Sequence, residues 1–283
     1  MDRRPIGVFD SGLGGLTAVR ELARLMPEED LVYFGDTGRV PYGGRSRDIL
    51  IKYARQDTAF LRSFDPKAIV IACGTVSTTA LDVLQRENDI PIFGVVEPAV
   101  RAAALASRNH RVGLIGTRAS IRSGAYERLL ARLHPGAEVT ARACPLFVPL
   151  VENGRFLPGD IVAETVAAEY LAPIQAAGVD TLILGCTHYP LLKPVIGAYM
   201  GPGVTLIDVG AQCARWTAER LDRAGLRAGG TGTGRHRFYV SDSTEDFAAL
   251  ASVFLREDVG SEVEQIDITE YEGAARPAGA GQG

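Results

Sequence analysis

Two cysteines follow short apolar runs in well-separated parts of the chain. Cys73 follows the run 69–72, and Cys186 follows the run 182–185. A thiol has an ordinary pKa of about 8.5, which backbone N–H groups at a strand-to-helix turn can lower. One thiolate can then remove a proton from a carbon while a thiol on the opposite face returns one. The pattern predicts a paired acid/base site, although buried cysteines that act only as small hydrophobic residues are the ordinary alternative.

The other two of the four cysteines lack this setting. Cys144 precedes a proline, and Cys213 lies inside a predicted helix, so both are interpreted as structural. No two cysteines form a C-x-x-C pair, which argues against a zinc site, and no metal is expected. Four cysteines in a chain of 283 residues also do not form a disulfide scaffold.

Acidic and hydroxyl side chains end the first two apolar runs. Asp10 and Ser11 end the first, and Asp36 ends the second. Helix capping and turn formation are the ordinary roles of such residues. Two acids at neighbouring strand ends exceed what capping needs. We therefore expect a carboxylate that binds a substrate ammonium or hydrogen-bonds a thiol.

Two further segments carry candidate groups. Segment 40–46 (VPYGGRS) is a turn whose glycines would let backbone N–H groups approach an anion, or it is an ordinary loop. His188 stands two positions after Cys186, at a predicted helix start, where it could tune or relay the proton of that thiol. Glu152 is predicted to lie in a turn and draws no attention by itself.

The elements that must position these residues alternate between short apolar runs and helical stretches. Continuous apolar runs are typical of parallel strands that are covered on both faces. Strands are predicted at 6–9, 31–34, 68–72, 92–95, 112–115, 181–184, 204–207 and 238–240. Helices are predicted at 15–26, 48–63, 78–86, 98–107, 123–133, 161–177, 190–200 and 211–224. The pattern predicts an α/β fold with doubly wound parallel sheets.

The two halves of the chain repeat one plan, a glycine-rich turn after a first strand and a cysteine after a later one. We predict two pseudo-symmetric domains, the first formed by 1–97 plus 208–272 and the second by 98–207, with a disordered tail at 273–283. Ligands of parallel sheets bind at the carboxyl ends of the strands. Two facing domains would therefore bring both cysteines into one cleft.

Composition excludes other classes. The net charge of −4 provides no basic footprint, so nucleic acid is not expected as a main ligand. No apolar run reaches the roughly 18 residues that span a bilayer. The apolar run at the N-terminus is too short for a signal sequence, and we expect a cytoplasmic protein without membrane association.

Taken together, these segments resemble glutamate racemases of the aspartate/glutamate racemase superfamily. The segments that carry the resemblance are 7–16 (GVFDSGLGGL), 35–37 (GDT), 40–43 (VPYG), 73–75 (CGT), 116–117 (GT), 151–154 (VENG), 184–192 (LGCTHYPLL) and 238–242 (FYVSD). The resemblance implies a cofactor-independent racemase of glutamate that supplies D-glutamate for peptidoglycan synthesis. We expect glutamate as the ligand, no cofactor, and a homodimer.

The resemblance also implies roles for individual residues. Cys73 and Cys186 become the two acid/bases, with Asp10, His188, Asp36 and Glu152 as assisting catalytic groups near them. The substrate would be bound by Asp10, Ser11, Pro41, Tyr42, Gly43, Gly74, Thr75, Thr117, Thr187 and His188. Gly74 departs from the family pattern, which usually reads Cys-Asn-Thr. The absent amide removes one hydrogen bond, which typically contributes about 0.5–1.5 kcal/mol, unless the Gly74 N–H replaces it.

Six other functions compete with this one. A dinucleotide-binding dehydrogenase would use Gly12-x-Gly14 and Asp36, but Thr17 stands where the third glycine belongs. A pyridoxal-phosphate racemase needs a Schiff-base lysine, and none of the three lysines has a glycine-rich setting. Aspartate racemase, hydantoin racemase and arylmalonate decarboxylase stay open within the superfamily, although the last needs only one cysteine. A non-catalytic amino-acid-binding module would leave the paired cysteines without a role.

Overall fold

The computed structural model describes residues 2–230, 232–256 and 263–271, so the predicted disordered tail lies outside the described residues. The strands are β1 Ile6–Asp10, β2 Leu31–Gly35, β3 Ala68–Ile71, β4 Ile92–Gly94, β5 Arg111–Gly116, β6 Glu138–Ala143, β7 Thr181–Leu184, β8 Thr205–Asp208, β9 His236–Val240 and β10 Val263–Gln265. The helices are α1 Leu16–Leu25, α2 Arg47–Arg62, α3 Gly74–Thr79, α4 Leu81–Glu87, α5 Val96–Ala106, α6 Arg118–Ser123, α7 Ala125–Leu133, α8 Phe147–Glu152, α9 Ile161–Ala176, α10 Lys193–Met200, α11 Val209–Arg223 and α12 Thr244–Leu255. Four short 3-10 turns complete the described regular structure, among them Tyr42–Gly44 and Tyr189–Leu192.

The strands form two parallel sheets. Within the described ranges, the first sheet has the order β10-β9-β2-β1-β3-β4 and the second the order β6-β5-β7-β8. Every strand pair is parallel. The chain therefore builds most of the first sheet, crosses to the second for four strands, and returns to add β9 and β10. This is the predicted α/β class.

Helices cover both faces of the first sheet because its strands are apolar on both sides. Ile6 and Val8 of β1 pack with α1 in one buried cluster. Phe9 of the same strand and Ile71 of β3 pack with α2 in another. All five residues of β1 are buried. Continuous apolar strands are the sequence feature that predicted this doubly wound arrangement.

Some predicted elements differ from the structure. The prediction missed β6, an edge strand of sequence EVTARA that is only partly buried and has no continuous apolar run. It also missed β10, three residues long at the other sheet's edge. The helix predicted at 123–133 begins at Ala125 as α7, and the prediction missed α6, which ends just before Gly124, whose φ of 61° lies in the left-handed region.

Domain organisation follows the sheets, although the residue boundaries that we predicted stay predictions. The expected boundary after residue 97 falls within α5, which links β4 of the first sheet to β5 of the second. Among the described residues, no helix has the length and apolar character that crossing a bilayer requires.

Candidate active site

A cavity of about 500 Å³ lies where the carboxyl ends of strands from both sheets meet. It brings together all but one of the residues predicted for the site. They are Asp10, Ser11, Pro41, Tyr42, Gly43, Cys73, Gly74, Thr75, Thr117, Glu152, Cys186, Thr187 and His188. A larger cavity of about 1050 Å³ beside α1 and β9 contains none of them. Because the two cysteines, Asp10, Glu152 and His188 converge in the smaller one, we assign the chemistry there.

Cys73 joins β3 to α3 and is 4% exposed. Its thiol donates to the Ser11 hydroxyl over 3.5 Å. Burial raises the pKa of Cys73 to about 12, and the negative charge of Asp10 adds to the rise, while the N–H of Val76 and the Ser11 contact oppose it. The pKa lowering expected at the strand-to-helix turn is therefore wrong for this thiol, because burial outweighs the backbone donor. The raised pKa favours the thiol form of Cys73 at neutral pH.

Cys186 has a different environment. Its Sγ lies 3.8 Å from Nδ1 of His188, and Nε2 of His188 lies 2.9 Å from Oε1 of Glu152. Burial opposes a charge on His188, but its hydrogen bonds to Cys186 and Glu152 outweigh burial and raise its pKa to about 10. The raised pKa favours His188 as an imidazolium, which places a positive charge beside the sulfur of Cys186. The two thiols therefore differ in environment: the pKa of Cys73 is raised by burial, whereas Cys186 lies beside His188.

Asp10 interacts electrostatically with both Cys73 and His188. It is 1% exposed, and its Oδ2 accepts the N–H of Gly12 over 3.1 Å. Burial raises the pKa of Asp10, while the positive charge of His188 and several backbone N–H groups lower it. A carboxylate so enclosed is suited to bind a cationic group that enters the cavity.

Asp36 does not line the cavity, which corrects its predicted place beside the cysteines. Its carboxylate accepts the hydroxyl of Tyr42, Nε of Arg39 at 2.6 Å and the hydroxyl of Ser241 at 2.8 Å. Tyr42 itself does line the cavity. Asp36 follows β2, so its position at a strand end was predicted correctly, but its side chain is used to hold Tyr42. It is a positioning residue.

The two halves are joined by direct hydrogen bonds at the cavity. Thr75 of α3 and Thr117, the N-cap of α6, share a hydrogen bond of 3.0 Å. Thr17 of α1 donates to the carbonyl of Thr187 over 2.9 Å. A Cβ on Gly14 would lie 2.3 Å from Nδ1 of His188. The glycine-rich turn that resembles part of a dinucleotide-binding motif thus lets the backbone at Gly14 approach His188.

Glu152 is the last residue of α8, not part of a turn as predicted. The residues that the sequence analysis missed include Cys144 and Pro145, which follow the unpredicted strand β6 to the same sheet edge, and Val148 and Pro149 of α8. Arg118 also lines the cavity. A correct prediction of β6 would have placed Cys144 at the site, because parallel strands end at the same edge.

Gly74 has no room for a side chain. A Cβ there would lie 2.5 Å from the backbone oxygen of Gly185, the residue before the second cysteine. Gly74→Ala is expected to reduce the free energy of unfolding by about 1–3 kcal/mol, as overpacking does, and to reduce kcat/KM by separating the two thiol-bearing turns. Urea unfolding and steady-state kinetics measure the two effects. Gly203→Ala is the control, since a Cβ there meets nothing within 4 Å; equal stabilities of the two variants would contradict the argument.

Glu152→Gln is expected to shift the alkaline limb of the kcat/KM profile to lower pH. The carboxylate raises the pKa of His188, so its neutralisation lets the imidazolium lose its proton at a pH below about 10. The same pKa shift gives stability that is complete below the ordinary pKa of 6.5 and lost as the pH rises through about 10. Glu169→Gln, on an exposed face of α9, is the control. An unshifted limb in Glu152→Gln would show that Glu152 does not set this pKa.

Comparison with known proteins gives consistent similarities. A family described as Asp/Glu/Hydantoin racemase matches residues 41–217. A glutamate racemase of Geobacter metallireducens is 46% identical over 260 residues, which cover 92% of this chain and 96% of that protein.

Solved structures agree with the sequence relatives. The glutamate racemase of Francisella tularensis in complex with D-glutamate superposes with a TM-score of 0.88 at 37% identity, covering 96% of this chain and all of that one (100%). That of Thermus thermophilus in complex with β-chloro-D-alanine gives a TM-score of 0.85 at 45% identity, with coverage of 95% and 100%.

Proposed function

This chain belongs to the aspartate/glutamate racemase family, and on that premise we propose that it interconverts L- and D-glutamate by proton transfer at Cα between two thiols. The observation that supports the mechanism best is that Cys73 and Cys186, carried by different sheets, line one cavity. The glutamate racemases to which the chain is similar over nearly its whole length support the choice of substrate.

The two environments suggest how one turnover proceeds. With an imidazolium beside it, Cys186 begins as the thiolate and takes the Cα proton, which leaves a carbanion stabilised by the adjacent carboxylate. Cys73 begins as the thiol and donates its proton to the opposite face of that carbon. The turnover ends with Cys186 protonated and Cys73 as the thiolate, which is the state that starts the reverse direction.

Asp10 has a role in reaching that second state. The negative charge of Asp10 contributes to the raised pKa of Cys73, after burial. A substrate ammonium paired with Asp10 offsets this charge, so the pKa of Cys73 falls when substrate is bound. Substrate binding therefore makes the thiol of Cys73 easier to ionise.

Hydroxyl and backbone groups are left to bind the carboxylates. Ser11, Thr75, Thr117 and Thr187 line the cavity, and backbone N–H groups approach it where Gly43 and Gly74 have no side chains. These donors make hydrogen bonds to carboxylate oxygens, which are stronger than bonds between neutral groups. The binding of substrate in this way fixes Cα between the two sulfurs.

The proposed reaction uses no cofactor. Among the described residues that line the cavity there is no lysine to form a Schiff base. Lys67 forms a buried ion pair with Glu29, and Lys193 lies 3.1 Å from Asp208. The acidity of the Cα proton then depends on the thiols, His188 and the substrate's own charges.

The biological setting is part of the same proposal. D-glutamate produced in the cytoplasm would supply peptidoglycan synthesis. The homodimer stays a prediction, and size-exclusion chromatography with light scattering measures it.

Circular dichroism of L-glutamate incubated with the purified protein tests the function. We expect the signal to decay to that of the racemate without added cofactor, and L-aspartate to react far more slowly. Activity that appears only after pyridoxal phosphate is added would contradict the cofactor-free reaction. Binding of glutamate without any loss of signal, unchanged in a Cys73→Ala/Cys186→Ala variant, would favour the amino-acid-binding module instead.

A further inference from the structure

A third cavity, of about 300 Å³, lies on the seam between the two halves and is separate from the catalytic one. We call it the seam cavity. Its lining combines the start of α2 and the end of α3, on the side of the first sheet, with α6 and α7, on the side of the second. The residues are Arg45, Arg47, Leu50, Thr78, Thr79, Ala119, Arg122, Ser123 and Arg128.

The positive charge of the seam cavity is only partly compensated. Four arginines line it, two from each side, and no carboxylate is among the lining residues. In the described part of the chain, neither Arg45 nor Arg122 makes a side-chain hydrogen bond or ion pair. Arg47 approaches Asp82 only at 3.7 Å, and both side chains are more than half exposed. Such an arrangement repels itself unless an anion enters it.

The donors left in the seam cavity are guanidinium groups, of which that of Arg128 already uses Nη1 to donate to the carbonyl of Ser123 at 2.7 Å. The hydroxyls of Thr78 and Thr79 already donate to the carbonyl of Thr75, at 2.9 and 2.7 Å. The hydroxyl of Ser123 donates to the carbonyl of Ser120 at 2.6 Å. Guanidinium groups pair with phosphate and carboxylate oxygens in a bidentate manner. Several guanidinium groups around a small space favour an anion that carries more than one charge.

The walls of the seam cavity are connected to the substrate site. Thr78 and Thr79 hold the carbonyl of Thr75, and Thr75 shares its hydroxyl hydrogen bond with Thr117 at 3.0 Å. On the other wall, Ser120 accepts from the hydroxyl of Thr117 at 3.0 Å. Thr75 and Thr117 both line the catalytic cavity. An anion that draws the two walls together therefore also tightens the contact between the two halves at the substrate site.

We propose that the seam cavity binds a multiply charged phosphate group through Arg45, Arg47, Arg122 and Arg128 and thereby stabilises the closed arrangement of the two halves. Bound phosphate lowers the KM for glutamate, a consequence that rests on the proposed racemase function. The binding itself does not depend on that function. It is measured separately.

Isothermal titration calorimetry with inorganic pyrophosphate tests the binding at constant ionic strength set with chloride. We expect one saturable site in the wild type and binding at least tenfold weaker in Arg45→Gln/Arg122→Gln. The control is Arg108→Gln/Arg132→Gln, which removes the same charge from exposed surface positions and should bind like the wild type. Absence of binding to the wild type, or equal weakening in both double variants, would overturn the proposal.

Racemase kinetics with and without pyrophosphate test the coupling. We expect KM to fall in the wild type and the control and to stay unchanged in Arg45→Gln/Arg122→Gln. A KM that rises in all three proteins would show that pyrophosphate competes at the substrate site, and would overturn the coupling.

ADP in place of pyrophosphate identifies the kind of phosphate compound that the seam cavity binds. Tighter binding of ADP indicates a phosphate ester, and tighter binding of pyrophosphate indicates an inorganic ion. A protein that binds pyrophosphate but does not racemise glutamate would refute only the proposed function.

Discussion

Cys73→Ala is expected to reduce the rate of glutamate racemisation by at least about 10³-fold in both directions, since general acid/base groups typically contribute 10²–10⁴-fold and this one has no substitute on its face. The variant keeps Cys186 with its imidazolium partner 3.8 Å away. A single thiol can take a proton from one face and return it to the same face. One enantiomer should therefore still exchange its Cα proton with D₂O while its configuration is retained.

Cys213→Ala is the matched control for this variant. Cys213 is also buried, with a pKa that burial raises to about 12, but it lies in α11 and does not line the catalytic cavity. We expect it to leave racemisation within a few-fold of the wild type. Circular dichroism measures racemisation and proton NMR measures exchange. Racemisation by Cys73→Ala at a rate near that of the wild type would remove this thiol from the mechanism.

His188→Asn should lower kcat by about 10²–10³-fold, because it removes the positive charge that lies beside the sulfur of Cys186. The effect should be larger in the direction that starts from the Cys186 thiolate than in the one that ends with it. Initial rates from pure L-glutamate and pure D-glutamate measure the two directions separately at subsaturating and saturating substrate. Because the overall equilibrium constant of racemisation is one, the asymmetry appears in kcat and KM, with kcat/KM lowered equally.

His110→Asn provides the comparison. His110 lies on the surface with φ of 63°, a conformation that Asn adopts readily, so the replacement leaves the backbone unchanged. Its kcat should match that of the wild type. An unaltered kcat of His188→Asn with both enantiomers would show that proton transfer by Cys186 does not depend on the imidazolium.

The sequence predicts most of this site because parallel strands deliver the residues that follow them to one edge. Asp10, Cys73 and Cys186 each stand at the end of an apolar run, and all three line the cavity. The runs themselves are recognisable because strands covered on both faces are continuously apolar. The position of each residue therefore follows from local pattern and a general rule of architecture.

What the sequence could not supply are properties set by contacts between distant segments. Asp36 stands at a strand end like Asp10, yet Arg39 and Ser241 hold it behind Tyr42. The raised pKa of Cys73 depends on burial that only the assembled halves produce. Edge strand β6 was missed because exposure removes the apolar run by which a strand is recognised.

The different surroundings of the two thiols could not be predicted from the repeated sequence pattern. The two halves repeat a cysteine after a strand, but the first thiol meets Ser11 and Asp10 while the second meets His188. Equivalent positions in a repeated plan thus acquire different electrostatic environments from their neighbours.

The most direct test of two opposed thiols is the isotope content of the product formed in the first turnovers in D₂O. The wild type should convert protiated L-glutamate into D-glutamate that carries deuterium at Cα, while the L-glutamate that remains stays protiated, because the proton added comes from a second, solvent-exchanged thiol. Proton NMR of the separated enantiomers at low conversion measures this. D-glutamate that retains the original proton would mean that a single base moves the proton from one face to the other, and the two-thiol account would be wrong.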